Sequence, residues 1–416
     1  MSLVQKICKS SGTKLCLFLA TVGPGIVVML ADTDAGSIVT AAQSGAVFGY
    51  KLLFLQIILI PVLYLTQELT IRLGITTQKG FSELIKQQFG NTWAFISVGT
   101  LAILSVGAIT TELSGIASIA IMLGIPVWLS MVVSIILLMA VVFTKKYSTL
   151  EKIAIAIGTF ELVYLVVAFK AEPSLSEVAS GFSNLPFANK NYLYLCAANI
   201  GAVIMPWMIF YQQSAIVDKK LTEKNLPSSR LETAFGAIIT QVIMIAIIIA
   251  TAATIGKVQT GAQLQSIQDI SLAITPFLGR TTGTLFFALG LLGASLVATI
   301  VVSLSLAWSI GEIYGFKHSL QDRPKEAPWF YGIYFAILLI GAIIVILHTQ
   351  LIYLNIAIEV LNALLLPIIL TFLFLLTCKA LPQKYKLRTW HSILIGIVFA
   401  AVSAVSLYTG IVGIMP

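Results

Sequence analysis

Two carboxylates, Asp32 and Asp34, lie inside the apolar stretch GPGIVVMLADTDAGS that occupies 23–37. At the centre of a bilayer such an acid costs about 2.5–3.5 kcal/mol on insertion scales, so intramembrane acids usually mark an ion path or stand beside a partner. The neighbouring Gly23-Pro24-Gly25 and Asp34-Ala35-Gly36 favour a helix that stops and restarts, which frees backbone carbonyls to face a cation. Many secondary transporters build their midplane ion sites from interrupted helices of this kind. A second interruption is written into Asn199-Ile200-Gly201-Ala202-Val203-Ile204-Met205-Pro206-Trp207. Taken alone, Pro206 is also compatible with a simple kink in a packed helix.

The elements that must position these residues follow from composition. Hydrophobic residues make up 58% of the chain and charged residues 10%, with a mean hydropathy of +0.99, far from the roughly 25% charged residues of a soluble domain. The 416 residues divide into eleven apolar runs, at 15–48 (broken), 52–75, 93–123, 127–144, 153–169, 192–216 (broken), 233–255, 285–313, 329–347, 352–378 and 392–414. Each is near the ~20 residues a helix needs to cross the hydrocarbon. With the N-terminus in the cytoplasm, twenty basic residues fall on that side and five, Lys51, Lys170, Lys190, Lys257 and Arg280, on the other. The positive-inside rule thus predicts a multi-pass cell-membrane protein with a cytoplasmic N-terminus and an outside C-terminus. The net charge of +8 follows from topology and gives no reason to expect a nucleic-acid partner. The first run is too long for a cleaved signal peptide.

Cys8, Cys16, Cys196 and Cys378 are scattered without a C-x-x-C pair, and His318, His348 and His391 fall at span ends or in loops. Neither a zinc site nor a disulfide framework is indicated, no cofactor is expected, and no span core holds the side chain best suited to shuttle protons near neutral pH. No nucleophile and base or His-containing metal triad supports an enzyme. The breaks in the first and sixth spans are five spans apart, and an odd offset makes two halves inverted in the membrane with their breaks face to face. The expectation is one transporter domain over 1–416, with repeats at 15–169 and 192–378, an extra helix at 392–414, and a single copy sufficient for function.

Gly23-Pro24-Gly25 with an acid nine residues on, Gln43-Ser44-Gly45-Ala46-Val47-Phe48-Gly49-Tyr50, Gln67-Glu68-Leu69 with Arg72-Leu73-Gly74, and Gly201-Ala202-Val203-Ile204-Met205-Pro206 together resemble the NRAMP divalent-metal transporters. The resemblance implies an all-α membrane protein of LeuT-type fold, alternating access, and a metal site between the broken first and sixth helices. Several positions depart from the family pattern. Its Asp-Pro-Gly-Asn reads Asp34-Ala35-Gly36-Ser37, preceded by an additional acid, Asp32, and its Met-Pro-His reads Met205-Pro206-Trp207. The pair of acids in the third span is reduced to Glu112, with Gly115 in the second place, and the ninth span lacks arginine. The substrate-facing glutamine of the tenth span becomes Glu359, with Asn362 one turn along.

Ligand chemistry weighs these changes. Mg²⁺ prefers oxygen ligands and keeps several waters, which suits Asp32, Asp34, Ser37, Glu359 and the Ala202 carbonyl. Met205 offers a thioether better matched to transition metals. The expected cargo is a partly hydrated Mg²⁺, and also Mn²⁺, as in the NRAMP-related magnesium transporters. The alternative is a proton-coupled Mn²⁺ or Fe²⁺ transporter, supported by Met205, and an amino-acid or organic-cation carrier ranks below both. Glu112, Trp207 and Asn362 are candidates for coupling or gating, although the Trp207 indole can only donate a hydrogen bond and cannot act as a base. Loss of titratable groups predicts transport without obligatory proton coupling. Glu68 and Arg72, four apart, suit an ion pair on one helix face, while Glu161 and Asn199 admit structural and functional readings alike.

Overall fold

The computed structural model describes residues 23–144, 156, 159–256, 263–347 and 351–415. Several sequence expectations lie outside the described residues: the first run over 15–22, most of 153–158, Cys8, Cys16, His348 and Lys257. Every regular element among the described residues is helical.

The first run is α1 (Pro24–Asp32) and α2 (Ala35–Phe48), followed by α3 (Leu53–Thr77). Pro24 opens α1 at a position where a missing N–H costs nothing. The apolar stretch Ala35–Thr77 is 43 residues long, about twice what one crossing needs, so the chain must reverse inside it. It does so at Gly49, whose φ of +60° favours glycine. Then come α4 (Phe81–Phe89), α5 (Asn91–Met122), α6 (Val127–Phe143), α7 (Val163–Lys170) and α8 (Leu175–Ser180). The second broken run is α9 (Lys190–Val203) and α10 (Pro206–Asp218). The chain continues through α11 (Leu226–Thr251), α12 (Ile267–Leu278), α13 (Arg280–Tyr314), α14 (Pro328–Leu347), α15 (Leu351–Lys379) and α16 (Thr389–Ile414).

Eight segments among the described residues are long and apolar enough to cross a membrane. One of them, Ala35–Thr77, contains the turn at Gly49 and counts as two crossings. The 17-residue α6 adds one more, and of the fifth run the described part is 156 and 159–169, ending in α7. The α9–α10 segment is the most enclosed, with 94% of its apolar window buried against 28% for α16, so the second break lies at the centre of the bundle and α16 at its rim. Lipid-facing surfaces are correspondingly apolar and exposed, as at Trp128, Ile136 and Ile397.

Hydrogen bonds sort the loops into two ends. At one, Arg72 Nη1 donates to the Tyr385 carbonyl (3.2 Å), Gln78 to the Leu221 carbonyl (2.7 Å) and Lys86 to the Ile313 carbonyl (2.6 Å). At the other, the Tyr192 hydroxyl donates to the Lys51 carbonyl (3.1 Å) and the Leu264 N–H to Gln43 (3.0 Å). Hydropathy does not announce the short helices α4, α8 and α12. The first of these is held by Glu312, whose carboxylate accepts the Ser82 N–H at 3.1 Å and the Ser214 hydroxyl at 2.5 Å, capping α4 from α13.

Candidate metal-binding site

The two breaks face each other. α1 stops at Asp32, Thr33 and Asp34 leave helical geometry, and Asp34 becomes the N-cap of α2, its carboxylate accepting the Ser37 N–H at 2.7 Å. Asp, with its short acceptor side chain, is among the best residues for that position. In the second run Ile204 leaves helical geometry, Met205 is extended, and Pro206 starts α10. A residue before proline is pushed out of the helical region, so Pro206 accounts for the break at Met205. The Ser37 hydroxyl donates to the Ala202 carbonyl at 3.1 Å, linking α2 to the open end of α9. Carbonyl ends of α1 and α9 thus meet N-terminal ends of α2 and α10, a pairing of helix dipoles suited to a cation beside anionic side chains.

Glu359 reaches this junction from α15. A Cβ placed on Gly36 would fall on Glu359 Oε1, and one placed on Gly201 would fall on the Glu359 backbone carbonyl. Two glycines therefore let one acid lie against both broken helices. Asn362 donates to Glu359 Oε2 at 2.9 Å. Glu112, on α5, accepts the Ala35 N–H at 3.2 Å and stands beside the Asp34 carboxyl, so it belongs to the junction. Gly115, one turn along, has no room for a side chain, because a Cβ there would lie 2.7 Å from Ser295 Oγ and 2.8 Å from Ala35 Cβ.

Other expected residues are placed differently. Asp32 is buried beside Thr240 on α11 and within electrostatic reach of Asp34, Glu359 and Glu161. The Met205 sulfur accepts the Trp207 indole N–H at 3.1 Å, and both side chains are fully buried. Asn199 joins a polar chain away from the metal candidates, accepting from Gln56 at 2.6 Å and donating to Ser44 at 2.8 Å. Glu68 pairs with Arg72 at 2.7 Å as its spacing suggests, and also with Arg230 at 2.6 Å.

Sequence reasoning missed two contributors. Thr33, between the two acids, donates to the buried carboxylate of Glu161, and the Thr240 hydroxyl stands beside the Asp32 carboxylate. The separation of 128 residues between Thr33 and Glu161 leaves no local pattern to find the first pair. Four buried oxygens around the junction, Asp32 Oδ1, Glu112 Oε1, Glu161 Oε1 and Asn362 Oδ1, have no hydrogen-bond partner in the protein. Orphaned buried acceptors are costly and rare, and a group of them is a place for a cation or the waters it carries. Among the described residues no three His, Cys, Asp or Glu side chains stand close enough together to hold a bare ion. Any ion here must be completed by backbone and amide oxygens, by water, or by rearrangement.

A family model described as natural resistance-associated macrophage protein-like (Nramp) matches residues 25–412. A divalent metal cation transporter MntH of Staphylococcus saprophyticus is 29% identical over 308 residues, covering 69% of this chain and 68% of that protein. One from Staphylococcus haemolyticus is also 29% identical, but the match spans about half of each, 53% of this chain and 51% of the relative. Among solved structures, a manganese transporter of Eremococcus coleocola in complex with an aromatic bis-isothiourea substituted compound aligns with a TM-score of 0.75 at 20% identity, covering 94% of this chain and 86% of its own. Mhp1, a nucleobase-cation-symport-1 family transporter in a closed conformation, aligns at 0.59 with 14% identity, over 94% of this chain and 90% of its own. Both share the fold, that of LeuT-type transporters.

Proposed function

The chain belongs to the Nramp family, a family of transporters and not of enzymes, and from that membership we propose that it carries divalent metal cations across the membrane by alternating access. Mg²⁺ and Mn²⁺ are the preferred cargo, and transport is not obligatorily coupled to protons. The observation that carries this reading is the junction of the two helix breaks, where Asp34, Ser37, the Ala202 carbonyl and Glu359 converge. These are hard oxygen donors. Mg²⁺ is commonly held by one or two carboxylates and its own waters, so a junction without a three-acid cluster still suits it.

Two departures within this chain support the finer parts. The indole of Trp207 donates to the Met205 sulfur, which ties up one lone pair of the soft donor and weakens the preference for transition metals. The crowding at Gly115 leaves a proton relay no side chain there, and Glu112 is engaged in holding the start of α2. In this reading 15–169 and 192–378 are the inverted repeats, the helix at 392–414 lies outside them, a single copy suffices, and the N-terminus is cytoplasmic while the C-terminus is outside. The distribution of Lys and Arg supports that orientation.

A proton-coupled Mn²⁺ carrier is the second reading. It is favoured by the presence of Met205 at the break and by the manganese transporter that shares the fold. Uptake into proteoliposomes separates the two. Mg²⁺ and Mn²⁺ entry driven by the metal gradient, without lumenal acidification, is the expected result. Mn²⁺ entry with acidification and no Mg²⁺ entry would establish the second.

A further inference from the structure

A cavity of about 440 Å³ opens at the end of the bundle that carries the basic loops, between α3, α11 and the start of α16. Its charged lining is Arg72, Arg230, Lys386 and Arg388 around a single acid, Glu68, with His391 beside them. Glu68 Oε1 receives both guanidinium groups, 2.7 Å from Arg72 and 2.6 Å from Arg230. One carboxylate thus faces four Lys and Arg side chains. Lys386 and Arg388 have no side-chain hydrogen bond or ion pair among the described residues. α16 begins beside them without a side-chain cap, so its first-turn N–H groups add to the positive field.

The remaining wall is apolar, with Leu65, Leu387 and Ile395. Just beyond it, α16 turns Trp390, Ile393 and Ile397 outward, 57%, 58% and 61% exposed. An exposed tryptophan followed by exposed aliphatic residues marks the level where headgroups give way to acyl chains. Cations above and hydrocarbon-like surface below match a molecule with a phosphate at one end and a chain at the other. A free anion would use only the upper half.

We propose that this pocket binds the phosphate of an anionic phospholipid, with its acyl chains running along the outward face of α16. Basic pockets between membrane helices hold such headgroups in this way. The site stands apart from the helix breaks and does not depend on which metal the protein carries.

Native mass spectrometry of the purified full chain, titrated with dioleoyl-phosphatidylglycerol and dioleoyl-phosphatidylcholine, tests the proposal. The wild type should hold one phosphatidylglycerol about tenfold or more tightly than phosphatidylcholine. K386Q/R388Q, which changes only exposed side chains, should lose that preference, while K317Q/K325Q in another basic loop should keep it. Millimolar inorganic phosphate should not displace the lipid. Equal retention of the two lipids by the wild type, equal losses in both double variants, or displacement by phosphate would each overturn the assignment.

Discussion

Gly36 and Gly201 both press on Glu359, and replacing each by alanine separates the chemistry of the junction from its packing. At Gly36 the added methyl meets Glu359 Oε1 and comes within 2.8 Å of Thr111 Cγ2. The first obstacle is the tip of a side chain, so it can turn away. Overpacking costs about 1–3 kcal/mol, offset by about 1 kcal/mol from the better helix former. The net loss of stability is therefore about 0–2 kcal/mol. The carboxylate, however, leaves the junction, and removing one partner of a buried charge interaction costs about 2–5 kcal/mol. For a bound cation that is roughly thirtyfold to several thousandfold in affinity. At Gly201 the methyl meets the Glu359 carbonyl and lies 2.8 Å from the Ala363 amide nitrogen. Backbone cannot rotate aside, so α9 and α15 must separate, at a cost of about 3 kcal/mol or more. Thermal unfolding in detergent, paired with calorimetric Mn²⁺ titration, should show Gly36→Ala folded but weak in binding and Gly201→Ala markedly destabilised. Unchanged affinity in Gly36→Ala, or wild-type stability in Gly201→Ala, would refute the placement of Glu359.

Met205→Ala should reduce Mn²⁺ and Cd²⁺ affinity more than Mg²⁺ affinity, because only the softer ions gain from sulfur; equal losses in a titration would remove the thioether from the site. Trp207→Phe deletes the N–H that holds that sulfur at 3.1 Å and should shift preference toward Cd²⁺ by a measurable factor, with no shift counting against the indole's role. Metal uptake by the wild type should leave the pH of the vesicle lumen unchanged. Acidification that depends on metal and vanishes in Glu112→Gln would identify Glu112 as a coupling group.

The architecture was legible because it depends on local signals. Long apolar runs with Gly and Pro at fixed places give the crossings and both breaks, and Pro206 explains the backbone of Met205 directly. The junction was legible only in part. Asp34 and Glu359 come together at the helix breaks, while Asp32 also stands beside Thr240 and the Met205 sulfur accepts from Trp207. Those outcomes are set by which helix packs on the other side, information that spacing along one helix does not contain. The same holds for Glu161, found by Thr33 from a distant part of the chain, and for Glu312, which caps α4 across 230 residues. Gly115 reads as a lost acid in the sequence and as a tight helix contact in the structure.

The most direct test of a metal-carrying junction is Mg²⁺ and Mn²⁺ uptake into proteoliposomes by Asp34→Asn. Asparagine keeps an acceptor for the Ser37 N–H, now 2.7 Å from the carboxylate, so the start of α2 is retained while the charge is removed. The variant should be folded and membrane-inserted yet transport neither ion, whereas Asp32→Asn, altered on the Thr240 side, should lose less. Uptake near the wild-type rate by Asp34→Asn would contradict the account.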